Sequence, residues 1–129
     1  MGLSQQEQQV VAEIAARRDE IVALTSALIG FDTTARNPTD PPRQEAELQA
    51  FLAARLAAAG AEVEVFEPPA DEVAGKPLIP DGLGFEGRPQ LIARFGGAGG
   101  GRSLLFNGHI DAVSYEPRER WTRDRKSVV

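Results

Sequence analysis

Val10, Ile14, Ile21, Leu24 and Leu28 recur at helical spacings, with Glu13, Arg17, Arg18 and Glu20 between them, and this stripe predicts one amphipathic helix. Ser4-Gln5-Gln6-Glu7 has the spacing of a capping box and predicts its start, and Gly30 its stop. Residues 31–42 are dense in turn formers and prolines and read as an ordered loop. A second helix is expected with Thr39 or Asp40 as cap and Pro41 in its first turn, passing through Leu48, Phe51, Leu52 and Leu56 to Gly60. Residues 61–67 alternate acidic and apolar until Pro68-Pro69, the pattern of a half-exposed peripheral strand. Residues 70–87, rich in Pro and Gly, show no sustained period and predict a long loop. A further strand over 89–95, the glycine-rich stretch 96–101 and a strand from Arg102 together predict a hairpin. Within that last strand Leu104-Leu105-Phe106 is unbroken, so it is expected to be central and buried on both faces.

Composition narrows the chemistry. The 129 residues, 42% hydrophobic and 26% charged, describe a globular chain of single-domain size. A net charge of −5 argues against nucleic acid and anionic membrane surfaces as partners. There is no cysteine, so a metal would be held by imidazole and carboxylate. The start of the chain lacks a signal-peptide pattern, Gln6 stands where a myristoylation motif wants Ser or Thr, and no apolar run reaches membrane-spanning length. A cytoplasmic location is expected.

Three stretches are candidates for a site. The glycines of 96–101 suggest a phosphate cradle, but a strand rather than a helix is expected to come after them, which favours the plain hairpin. Asp32, Thr33 and Thr34 could form a polar site, although Asx and Ser/Thr turns account for them without function. His109, the only histidine, lies two residues from Asp111 at the carboxyl end of the predicted buried strand, where α/β sheets bind ligands. Residues two apart on an extended segment face one side, so Asp111 can accept the ring N–H and leave the other nitrogen for a metal. A histidine merely satisfied by a neighbouring carboxylate explains the same residues equally well.

Gly108-His109-Ile110-Asp111-Ala112-Val113, with Trp121-Thr122-Arg123-Asp124 beyond it, resembles the first metal-binding motif of the acetylornithine deacetylase and succinyl-diaminopimelate desuccinylase family, with its aminoacylases, carboxypeptidases and dipeptidases. The upstream order is similar too: an amphipathic helix, Phe31-Asp32-Thr33-Thr34 with Asn37-Pro38, a helix ending in the turn at Leu56 to Gly60, then an edge strand. The resemblance covers nearly all of residues 9–124. It implies an α/β fold, the amino-terminal part of a zinc-exopeptidase-like three-layer catalytic domain, with two helices and about three strands of a mixed sheet. It also implies His109 as a zinc ligand, Asp111 as the carboxylate that orients it, and two zinc ions in the complete enzyme, with cobalt or manganese as alternatives. The implied reaction is hydrolysis of the amide bond of N-acyl amino acids or short peptides, in a homodimer formed through an inserted domain.

The chain departs from that pattern beyond the motif. The family needs a bridging Asp, an adjacent Glu-Glu pair, a further acidic ligand and a second His; this sequence has one His and no Glu-Glu. One encoding of 124–129, GAT CGG AAG AGC GTC GTG, coincides with a common sequencing adapter. Residues 1–123 are therefore expected to be an amino-terminal portion of the catalytic domain, and 124–129 a non-native tail on a truncated gene product, inactive alone. The alternative is a small non-catalytic α/β binding or interaction domain. The reading frame beyond codon 124 in an independent assembly separates them. An Asp, then Glu-Glu, then a later His is the expected outcome; a natural stop after Val129 would contradict it.

Overall fold

The computed structural model describes residues 2–35, 37, 39–114, 117–120 and 122. Pro38, Trp121, Arg123 and Asp124 of the resembling motifs, and the tail 124–129, lie outside the described residues. The fold is α/β, with four helices and a two-stranded antiparallel sheet among the described residues. By packing the chain divides into two units, Met1–Gly30 with Pro117–Val129, and Phe31–Glu116.

The first unit contains helix α1 (Gln5–Ala16), helix α2 (Arg18–Gly30) and a 3-10 turn at Arg118–Arg120. The predicted capping box is formed: Ser4 Oγ accepts from the Glu7 N–H at 3.3 Å, and Glu7 Oε2 accepts from the Ser4 N–H at 2.7 Å. The Ser4 backbone N–H first, and the Ser4 side chain after it, hold the Glu7 carboxyl below its usual range. The single helix expected over this stretch is broken at Arg17. Its N–H is shared between the Glu13 and Ile14 carbonyls at 3.2 and 3.1 Å, a three-centre bond that tightens one turn where neither Gly nor Pro stands. Val10, Ile14 and Ile21 on the predicted stripe are exposed, and Leu24 and Leu28 half-buried.

The second unit is built on helix α3 (Glu45–Ala58), which packs against strands β1 (Glu62–Phe66) and β2 (Gln90–Arg94). Helix α3 starts later than Thr39 or Asp40. Pro42 disfavours helical geometry at Pro41, and the Asp40 carboxylate turns back to accept from the Asn37 N–H at 3.1 Å instead of capping a helix. Glu45 and Glu47 place negative charge in the first turn of α3. Its other end is a Schellman motif: Gly60 takes φ 92°, Gly60 N–H donates to the Ala57 carbonyl at 2.9 Å and Ala61 N–H to the Leu56 carbonyl at 3.0 Å. Leu48 is buried, and Phe51, its ring tilted against that of Phe31 with centroids 5.6 Å apart, is half-buried. Strands β1 and β2 pair antiparallel with Val63 opposite Ala93 and Val65 opposite Leu91. Between them lies the predicted long loop, broken by a one-turn helix α4 (Ala70–Val73).

The hairpin and the third strand are not formed. The partner of β2 is β1, and residues 102–111 carry no regular structure. Leu104, Leu105 and Phe106 are 77%, 88% and 86% exposed, not buried on both faces. The physical reason is the glycine loop: it contributes no side chain to pack and loses the most backbone freedom on ordering, so it does not hold the run against β2. An apolar strand covered on neither face gains nothing by pairing. What remains of the expected mixed sheet is one parallel bridge, Thr34 with Ala112.

Such an exposed apolar run is an association site. The chain is expected to sediment with concentration-dependent association that Leu105→Glu reduces. A wild-type chain that stays monomeric at all concentrations would contradict this.

Candidate functional site

The local structure around His109 starts in the loop after α2. The Thr34 N–H donates to Asp32 Oδ1 at 3.1 Å, an Asx turn, and Arg43 Nη1 holds Asp32 Oδ2 at 2.6 Å. Gln44 locks this turn to the start of α3, its side-chain oxygen accepting from the Asp32 N–H at 2.7 Å and its own N–H donating to the Asp32 carbonyl at 3.1 Å. Asp32 and Thr34 thus act as turn residues, the plainer of the two readings open from the sequence.

The turn presents an extended edge to residues 110–112. Thr33 Oγ1 donates to the Ile110 carbonyl at 2.7 Å, the Ala112 N–H to the Thr33 carbonyl at 3.0 Å, and the Ala35 N–H to the Ala112 carbonyl at 3.0 Å. Thr33 and Thr34 are buried. The Thr34 hydroxyl has no hydrogen-bond partner among the described residues.

Pinned in this way, His109 and Asp111 face one side. His109 Nδ1 lies 2.9 Å from the Asp111 carbonyl and 3.1 Å from Asp111 Oδ1. Carbonyl and carboxylate oxygens only accept, so in the neutral ring the contacts assign the proton to Nδ1, and Nε2 presents its lone pair. Nε2 has no hydrogen-bond partner among the described residues. The two side chains are 83% and 67% exposed.

The His109 segment lines a cleft of about 410 Å³. Three polar residues that were not foreseen line it too, Glu45 and Gln49 from α3 and Arg88 from the long loop, together with the apolar Pro80, Leu83 and Phe85. Arg88 Nε lies 3.6 Å from Glu45 Oε1, with side chains 16% and 7% exposed, and its guanidinium also donates to the Asp40 and Gly84 carbonyls. Gln49 Nε2 donates to the Pro89 carbonyl at 3.1 Å. Gly87 is needed beside them, because a Cβ there would stand 2.8 Å from Pro42 Cγ. One sequence signal was available: Glu45 and Gln49 share a helix face with Leu48 and Leu52, and polar residues on an apolar stripe mark a buried network. For Arg88 there was none.

Among the described residues no three His, Cys, Asp or Glu side chains come together to hold a metal ion, so His109 offers one ligand and not a complete site. No described helix is long and apolar enough to cross a membrane. Comparison with protein-family models, with curated proteins and with solved structures finds no match.

Removing Arg88 leaves the buried Glu45 carboxylate without its counter-ion, with the Arg43 backbone N–H as its remaining donor. Arg88→Met is expected to lower stability to chemical denaturation by about 3 kcal/mol or more. Adding Glu45→Gln to it is expected to recover part of that loss. Additive single effects in the double-mutant cycle would contradict the pairing.

Asp32 gives a pH dependence. The Thr34 backbone N–H first, and Arg43 in support, hold its carboxyl below the ordinary value of 3.8. A depressed native value means that its contribution is complete above that ordinary value and is lost as pH falls through the lower native one. Asp32→Asn is therefore expected to flatten the acid limb of the stability curve and leave its slope near neutral pH unchanged. An unaltered acid limb would contradict this.

Proposed function

We propose that residues 1–123 are an amino-terminal portion of the catalytic domain of a cytoplasmic, zinc-dependent amidohydrolase or peptidase acting on N-acyl amino acids or short peptides. In this reading His109 is one zinc ligand and Asp111 the carboxylate that sets its tautomer. The supporting observation is the pair itself: Nδ1 is engaged by Asp111 at 2.9 and 3.1 Å, Nε2 has no partner among the described residues, and His109 lines a cleft. The motif order in the sequence points the same way, and the exposed run at Leu104 to Phe106 is what a strand lacking its sheet neighbours would present.

The donor set fits one position of a zinc site and no more. Zinc, when bound, acidifies a water and polarises an amide carbonyl. The remaining ligands and the general base are not among the described residues, so the chain alone is expected to hydrolyse no N-acetyl amino acid. What these residues do is hold one proton on Nδ1, aim Nε2 and keep the ring beside the cleft.

A zinc titration monitored by NMR through the ring protons of the only histidine tests the reading. Weak binding that shifts the His109 ring and vanishes in His109→Ala is expected. Asp111→Ala should weaken it by about tenfold, the low end for an orienting carboxylate, because the residue 111 carbonyl still holds the ring. A ring that does not respond to zinc would overturn the reading and favour a non-catalytic α/β interaction domain.

A further inference from the structure

We propose that Asn107-Gly108 is a site of spontaneous covalent modification, at which Asn107 is converted through a cyclic imide to aspartate and isoaspartate two residues before His109. The reaction needs the backbone nitrogen of the next residue to reach the side-chain carbonyl carbon. A side chain on that residue, regular structure, or a hydrogen bond on that N–H opposes it.

Each obstacle is missing at this position. Gly108 has no Cβ, and nothing lies within 4 Å of where one would stand. Asn107 and Gly108 are both exposed and belong to no helix or strand. The Gly108 N–H makes no hydrogen bond among the described residues. The bridge that orders the neighbouring chain begins only at Ile110, through its carbonyl.

In the first step the Gly108 nitrogen, giving its proton to solvent base, bonds to Asn107 Cγ. The Cγ–Nδ2 bond breaks and ammonia leaves. Water then opens either carbon–nitrogen bond of the imide. One product has aspartate in an unchanged backbone; the other runs the backbone through the side chain, with one more methylene before Gly108. Both carry a new carboxylate two residues before His109, and the second also lengthens the backbone ahead of it by one atom.

The only other asparagine is an internal control. Asn37 precedes Pro38, which has no N–H to attack with, and its side chain donates to Asp40 Oδ1 at 3.4 Å.

The test is incubation of the intact chain at mildly alkaline pH, with peptide mapping by mass spectrometry and isoaspartate quantification, beside a short peptide spanning the same residues. Asn107 is expected to convert within about threefold of the peptide rate, since a segment without regular structure costs almost nothing to open. Asn37 should stay intact. Gly108→Val should slow conversion by about tenfold or more, because a β-branched side chain crowds the attacking nitrogen. An intact-chain rate suppressed about a hundredfold below the peptide would overturn the proposal, for it would mean that residues 107–108 are held in a closed structure.

Discussion

The bridge between residues 33–35 and 110–112 is the contact on which the rest of the candidate site depends. Three hydrogen bonds of 2.7 to 3.0 Å, one of them from the Thr33 hydroxyl, tie a loop at the start of the second unit to a segment that carries no regular structure up to Asp111. The chain on the amino side of this bridge, from the glycine loop through Phe106, is exposed. Next to the bridge, the contacts of the His109 ring with Asp111 at 2.9 and 3.1 Å set the two residues on a common side. The bridge in turn rests on the Asx turn at Asp32 and on Gln44, which join it to the first turn of α3.

A second anchor also lines the cleft. The Glu45–Arg88 pair and the bonds from Arg88 to the Asp40 and Gly84 carbonyls draw the long loop onto the start of α3. A buried pair of this kind contributes little net stability over an apolar substitute but penalises the loss of one partner heavily. Its role is better described as registration: it specifies where the loop sits, and so where the cleft wall stands relative to the imidazole. Both anchors converge on residues 43–45, so the entry to α3 orders both groups of residues that line the cleft.

Local features were legible in the sequence. The capping box at Ser4, the Gly60 terminus of α3 and the alternating strand that became β1 each depend on neighbours within a few residues, where propensity and hydrogen-bonding chemistry act directly. The proximity of Asp111 to the His109 ring was legible for the same reason, because a two-residue spacing on extended chain suffices. The third strand was not: an apolar run states what a segment would bury, and burial needs partners that the run cannot supply. The start of α3 was misplaced because Asp40, a good cap by type, spends its carboxylate on Asn37. Arg88 was invisible because Glu45 and the Asp40 carbonyl, the partners that tie it to the start of α3, stand 43 and 48 residues away in sequence, and nothing local announces such a pairing.

The central claim is that Asp111 keeps the proton on His109 Nδ1 and leaves Nε2 as an open donor. Nitrogen-15 NMR of the imidazole, in buffer alkaline enough for the ring to be neutral, reads this directly, since the chain holds a single histidine. The account predicts a protonated Nδ1 and a bare Nε2. A ring carrying its proton on Nε2 would contradict it.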